Sequence, residues 1–160
     1  MLKAGSTILS KKLFKLTVGG GLVFWATTIA TSLLPIAAEY RAAYSNWSIQ
    51  TVWVTSLLMG MIIGYGVSYI LLRYFDKIPS KNPILKSVMI SSIALIIAVI
   101  VIDVPQSFFG MSNSFNASYF FLIGVMFNVA RFLLLGIVIG YLYNERTHSY
   151  SKETKNEFDQ

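Results

Sequence analysis

Four long apolar segments constrain the fold of this chain more than any other feature. They cover residues 16–38, 51–72, 84–102 and 119–143 of a 160-residue sequence. An α-helix rises about 1.5 Å per residue, so about 20 apolar residues cross the hydrocarbon core of a bilayer. The segments lack the alternation of apolar and polar residues that a membrane β-barrel needs. The sequence therefore predicts an all-α integral membrane bundle of four transmembrane helices.

The rest of the chain offers little material for a soluble domain. Hydrophobic residues make up 55% of the sequence and charged residues only 12%, which is too little charge for a soluble surface. We expect one transmembrane domain over 16–143, a basic segment at 1–15 and a mobile polar tail at 144–160. The first apolar segment exceeds the 7–15 apolar residues of a signal peptide, so we expect it to be a retained helix.

The distribution of Lys and Arg predicts the orientation in the membrane. Eleven of the thirteen precede the first segment, lie between the second and third or at the start of the third, or follow the fourth, which places them on one side. Only Arg41 lies on the other side, and Arg131 lies in the middle of the fourth segment. Because basic residues stay cytoplasmic, both termini are expected to face the cytoplasm from a plasma or inner membrane. The same rule accounts for the net charge of +6, so no nucleic-acid partner is expected.

Small residues recur at helical spacing and predict close contacts between helices. Lipid chains are as apolar as leucine, so membrane helices associate where small side chains let their backbones approach. Such contacts form within one chain or between chains, and we take packing within the chain as the default. The predicted packing residues are Ser56, Gly60, Gly64 and Ser68 in the second segment, and Gly136 and Gly140 in the fourth.

Arg131 is the sharpest functional clue because it lies twelve residues from either end of the fourth segment. That distance is about 18 Å along a helix, too far for easy escape to water. An arginine at mid-helix costs about 2.5–3.5 kcal/mol on insertion scales, and the guanidinium does not lose its proton. It must therefore face the bundle or a partner. Asn128, three residues earlier, shares its helix face.

Several other polar residues are candidates for the same site. Ser91 and Ser92 are predicted at the depth of Arg131, whereas Glu39 and Asp103 belong to the outer ends of their helices, about 15 Å away. Thr28 and Ser32 share one face of the first helix. Their hydroxyls either bond to carbonyls of their own helix or form a polar track from the outer mouth.

Three explanations of Arg131 remain open from the sequence. In the first, neutral groups of the chain itself accept the hydrogen bonds of the guanidinium. In the second, a carboxylate of another subunit pairs with it. In the third, it attracts an anionic solute or an anionic lipid headgroup. Buried membrane charges are functional by default, which fits the second and third explanations.

The sequence contains none of the residue patterns that catalysis or cofactor binding would need. It has no cysteine, and its one histidine, His148, lies in the tail, so haem ligation inside the membrane is not expected. No His, Cys, Asp and Glu cluster has metal-ligand spacing, and no hydrolase or nucleotide-binding motif is present. We therefore expect no enzyme activity, no cofactor and no metal.

Known small four-helix families do not account for the chain. Small multidrug exporters rely on a membrane-embedded glutamate, which is missing here, and small fluoride channels have nearly balanced flanking charge. The stretch VGGGLVFWATTIATSLL resembles the start of small glycolipid-flipping membrane proteins. That resemblance covers only the first segment and no specific motif residue, so it assigns no family.

Two functions are compatible with these features. The first is a non-enzymatic accessory or structural subunit of a membrane protein complex, or of a homo-oligomer, held together by Arg131 and the small residues. The alternative is a small oligomeric transporter or channel for an anionic solute or lipid. In that case Arg131 and Asn128 would bind the anion, and Thr28 and Ser32 would line its access.

Overall fold

The computed structural model describes residues 2–44, 48–104 and 117–158, with side chains described over 9–42, 48–101, 104 and 118–145. Every regular element in these ranges is helical. In chain order the elements are α1 (Leu2–Ser32), α2 (Pro35–Tyr44), α3 (Ile49–Tyr74), a 3₁₀ turn (Phe75–Lys77), α4 (Pro83–Ala98), a π-helical extension (Val99–Asp103) and α5 (Ala117–Phe158).

Four of these helices are long and apolar enough to cross a membrane. The apolar stretches are Leu9–Ser32, Ile49–Lys77, Pro83–Val101 and Ser118–Glu145. The prediction of an all-helical fold with four helices long and apolar enough for a multi-pass membrane protein is therefore confirmed. The short helix α2 is not one of the four.

The first apolar segment ends as a helix earlier than predicted. The expected helix over 16–38 is divided, because α1 ends at Ser32 and α2 begins at Pro35. Proline has no N–H and its ring clashes with the carbonyl four residues earlier, so it interrupts a helix. The same residue is favourable at the first position of a new one, where the N–H would have no partner inside the helix.

Both polar ends of the chain extend helices instead of lying outside them. The basic segment 1–15 belongs to α1 from Leu2 onward, and α5 continues through the polar tail to Phe158. The backbone of the tail is helical to Phe158, and its mobility stays a prediction. Propagating an existing helix needs no new nucleus, and the Glu, Arg and Lys residues of the tail are good helix formers.

Small residues bring the helices together in two close pairs. A Cβ added at Gly60 would lie 2.9 Å from the carbonyl oxygen of Gly21, so α3 touches the backbone of α1. A Cβ at Gly136 would lie 3.0 Å from Cα of Val88, so α5 touches the backbone of α4 in the same way. Because α1 also packs on α5, the helices follow one another in the order α3, α1, α5, α4. The two outer members, α3 and α4, make much the less extensive contact.

This packing gathers most basic residues at one end of the bundle. The start of α1, the end of α3, the start of α4 and the last apolar turns of α5 all lie there, since Gly64 faces Thr17 and Gly140 faces Ile84. We call this the basic end; it carries Lys11, Lys12, Lys15, Arg73, Lys77, Lys81 and Lys86. The buried core runs up from it and comprises Leu16, Phe24, Val67, Leu71, Ile90, Phe132, Leu135 and Ile139.

Candidate functional site at the membrane-embedded arginine

Arg131 lies near the middle of the apolar stretch of α5, which runs from Ser118 to Glu145. Thirteen and fourteen residues separate it from those two ends, about 20 Å in each direction at 1.5 Å per residue. Its side chain is half-buried. The charge therefore lies at a depth where a bilayer offers no water, and the protein must supply its surroundings.

Among the described contacts of Arg131, one from α5 and one from α1 lie at its guanidinium. Its Nη1 donates a hydrogen bond to Oδ1 of Asn128, at 3.2 Å. Its Cζ lies 6.0 Å from the centre of the Phe24 ring on α1, at the outer limit of a cation–π contact. The partner amide comes from the preceding turn of the same helix, so α5 itself positions the charge, and α1 provides an aromatic face beside it.

Phe24 is held in this position by the close packing of the helices. Its ring is 5% exposed and meets the ring of Phe132 edge-to-face, with 5.6 Å between the centres. On its other side it lies against Gly60 of α3, where an added Cβ would be 3.1 Å from Cβ of Phe24. Phe24 therefore joins three helices at the depth of Arg131. The sequence did not predict this contact, because Phe24 is one of many apolar residues in its segment.

The two predicted access residues on α1 already use their hydroxyls within the chain. Thr28 is buried, and its Oγ1 donates to the carbonyl oxygen of Phe24 at 2.9 Å. Ser32 donates from Oγ to the carbonyl oxygen of Ile29 at 2.8 Å and accepts from Nε1 of Trp53 at 3.0 Å. These bonds match the structural alternative for the two hydroxyls, and the tryptophan bond ties the end of α1 to α3.

The serines of α4 lie in two different surroundings. Ser91 is fully buried between α4 and α5, and its Oγ donates to the carbonyl oxygen of Val88 at 3.0 Å. Gly136 of α5 faces it, since a Cβ there would lie 3.2 Å from Cβ of Ser91. Ser92, the next residue, is half-buried. Ser91 therefore lies at the α4–α5 contact, whereas Arg131 lies beside α1.

Of the two acidic candidates, only Glu39 has a described side chain. Glu39 is exposed on α2. Asp103 ends the π-helical extension of α4, and its side chain lies outside the described part. Within the described residues no group of three or more His, Cys, Asp or Glu side chains comes together for a metal ion.

The predicted packing residues lie at the two close helix pairs. Ser56, Gly60, Gly64 and Ser68 are all buried on α3, and Gly136 and Gly140 are buried on α5. Gly60 and Gly64 lie against α1, and Gly136 and Gly140 lie against α4. All four glycines therefore lie at helix contacts inside this chain.

A cation–aromatic stack at the basic end was missed by the sequence reasoning. Nζ of Lys86 lies 3.7 Å from the centre of the Phe75 ring and donates a hydrogen bond to the carbonyl oxygen of Phe75. The Phe75 ring stacks on Tyr143, with 4.7 Å between the centres, and Nζ of Lys12 lies 3.9 Å from the Tyr143 ring centre. The stack joins all four spanning helices. The one feature of the sequence that could have predicted it is Lys86, a charged residue only three positions after the start of α4.

The fold and this site define a multi-pass helical membrane protein with an arginine held in the middle of a spanning helix. No family model, curated protein or solved structure matches the chain. We therefore infer a function from the residues and contacts of the chain itself.

Proposed function

We propose that this chain is a non-enzymatic accessory or structural subunit of a membrane protein complex, with Arg131 as its principal contact inside the membrane. The observation that carries the proposal is a half-buried guanidinium in the middle of α5, positioned by Asn128 and Phe24. A charge at this depth is costly to insert and is therefore retained for a role. Pairing with an acidic residue of another subunit would offset that cost.

The state of the neighbouring hydroxyls favours this proposal over transport. An anion moving along the bundle would need spare donors on its route. The two residues proposed for that route, Thr28 and Ser32, donate to carbonyl oxygens of their own helix at 2.9 and 2.8 Å. Transport of an anionic solute or lipid, bound by Arg131 and Asn128, is therefore the alternative function.

We also propose that the protein lies in a plasma or inner membrane with both termini in the cytoplasm. The basic end supports it, because positive residues remain on the cytoplasmic side. Since the chain has no cysteine, single substitutions report on topology directly. We expect Gln50→Cys to react with a membrane-impermeant maleimide in intact cells and Ser10→Cys to react only after lysis. Labelling of Ser10→Cys in intact cells would contradict the orientation.

The subunit proposal is tested by native mass spectrometry of the protein extracted gently from its own membrane. We expect the wild type to form a defined complex with other chains, and Arg131→Gln to lose that complex because it removes the charge but keeps an amide for Asn128. Arg131→Lys should retain part of it. Arg73→Gln, which removes an exposed charge at the basic end, is the matched control.

Two outcomes would contradict the subunit proposal. An Arg131→Gln protein with unchanged assembly and unchanged cellular level would exclude a contact role for the charge. A variant that assembles normally but loses anion or lipid flux in vesicles would support the transport alternative instead.

A further inference from the structure

A long groove separates α3 from α4 on the outside of the bundle. It follows from the packing order, because α3 packs on α1 and α4 on α5, so the two outer helices diverge. The groove has a volume of about 590 Å³, within the range typical of ligand pockets. Val67, Ile90 and Phe132, all buried, form its floor, and the exposed side chains of Ile70, Ile93 and Ile97 form its rims. We call this the α3–α4 groove.

The length of the groove matches an acyl chain. Its lining runs from Ile70 to Met59 on α3, and from Met89 on α4 to Val101 in the π-helical extension. At 1.5 Å per residue these stretches cover about 16 and 18 Å. One leaflet of a bilayer contributes about half of the 30 Å hydrocarbon core, or about 15 Å. A single lipid chain that enters from the basic end therefore has room to lie along the groove.

The charge of the groove is confined to its basic end. Lys77 is the only charged residue among the described residues that line the groove. It is exposed in the link between α3 and α4, with exposed Arg73 and Lys81 nearby in sequence and one acidic neighbour, Asp76. A molecule complementary to this surface has an anionic head at the level of Lys77 and an apolar chain beyond it.

The shape of the groove favours a lipid over a further helix. Membrane helices pack where small residues allow their backbones to approach closely. Here the rims carry branched Ile side chains, and the small residues, such as Gly66, lie between them. A slender acyl chain fits between such rims, whereas a helix about 10 Å wide does not reach the floor without moving them.

We propose that the α3–α4 groove is a specific site for an anionic phospholipid, with one acyl chain along the groove and its phosphate beside Lys77. The lining of the site does not include Arg131, and the proposal does not depend on the proposed subunit function. Bulk anionic lipid is attracted to every basic residue near the membrane surface. The groove adds a chain site of defined length, so this lipid is expected to remain after others have been removed by detergent.

Gly66 allows the groove to be filled without disturbing the bundle. A Cβ at this position would meet nothing within 4 Å, so Gly66→Leu places its side chain in open groove space. Replacing glycine inside a helix also favours the helix. Ala26→Leu adds a similar side chain to an exposed position of α1 and is the matched control. Lys77→Gln removes the charge at the end of the groove, and Lys81→Gln is its control.

The experiment is native mass spectrometry of protein reconstituted in vesicles of phosphatidylglycerol and phosphatidylcholine and then extracted in detergent. We expect one retained phosphatidylglycerol on the wild type and both controls, and at least a tenfold loss of it in Gly66→Leu. Lys77→Gln should keep a lipid but lower the preference for phosphatidylglycerol about fivefold, as expected for one basic residue near an anionic headgroup.

Three results would overturn the proposal. Equal lipid retention in Gly66→Leu and Ala26→Leu would exclude the groove as the site. A lipid preference that Lys77→Gln and Lys81→Gln change equally would exclude Lys77 as the headgroup contact. A dimer in the wild type that Gly66→Leu abolishes would show that a second copy of the chain occupies the groove instead of a lipid.

Discussion

Replacing Gly64 with alanine should separate α1 from α3, and replacing Gly66 with alanine should not. At Gly64 the added Cβ would lie 2.9 Å from the carbonyl oxygen of Thr17 and 3.1 Å from the backbone nitrogen of Gly21. Both are backbone atoms of a helix, so no side chain can turn away to make room. At Gly66, two residues later on the same helix, the Cβ would meet nothing within 4 Å.

The magnitude follows from the overlap at Gly64. An ordinary contact of this kind is 3.4–4 Å, so the helices must part by about half an ångström at this point. A gap of that size already forfeits about a quarter of the dispersion energy of neighbouring atom pairs. Overpacking of this kind costs about 1–3 kcal/mol. Alanine also gains about 0.5–1 kcal/mol over glycine through helix propensity, and this gain applies to both variants.

The comparison of the two variants isolates the helix contact, because the propensity gain cancels. We expect Gly64→Ala to have a free energy of unfolding about 1–3 kcal/mol below that of Gly66→Ala. Reversible unfolding of the detergent-solubilised protein, followed by tryptophan fluorescence, measures this difference. Equal free energies of unfolding for the two variants would refute the reasoning, because Gly64 would then not lie against the backbone of α1.

Two further contacts give predictions of stability. Lys86→Met removes the hydrogen bond to the carbonyl oxygen of Phe75 but keeps the length of the side chain. It should lower the free energy of unfolding by about 1.5–3 kcal/mol. Lys81→Met, at an exposed position, is the control and should change little in the same unfolding assay. Trp53→Phe removes the donor to Ser32 and should lower the free energy of unfolding by about 0.5–1.5 kcal/mol. The effect of Trp53→Phe should be smaller in a Ser32→Ala variant, where the acceptor is already missing. Additive effects in the double variant would exclude that hydrogen bond.

The number and type of the spanning helices follow from the sequence because membrane insertion depends on long apolar runs. The ends of the helices follow less well. Pro35 carries the signal for the break between α1 and α2, but the apolar run around it continues and conceals the break. Residues 144–158 form part of α5. Their helical backbone was not predicted, because composition alone does not show that a helix already begun upstream can continue.

In the candidate site, the features set by one helix could be predicted from the sequence, and those set by packing between helices could not. The depth of Arg131 and its bond to Asn128 depend on residues of one helix, three positions apart, so helical spacing was sufficient. The ring of Phe24 beside Arg131 depends on how α1 lies against α5, and helical spacing says nothing about that. The stack of Lys86 on Phe75 was hidden for the same reason.

The arginine and the α3–α4 groove share a structural neighbour even though they would bind different partners. Phe132 lines the groove, and its ring meets Phe24, over which the guanidinium of Arg131 lies. An aromatic pair of this geometry contributes about 0.5–1.5 kcal/mol beyond its buried area. Phe132→Leu keeps an apolar floor for the groove but removes that pair, so both sites lose a contact that positions them.

Phe132→Leu should therefore lower both complex formation through Arg131 and lipid retention, each about two- to tenfold. Gly66→Leu should lower only lipid retention, since Gly66 lines the groove from α3. Native mass spectrometry of the two variants, extracted from the same membranes, measures both quantities in one spectrum. If Phe132→Leu reduced lipid retention and left the complex intact, the position of Arg131 would not depend on Phe24 and Phe132, and Asn128 would have to hold the guanidinium in place.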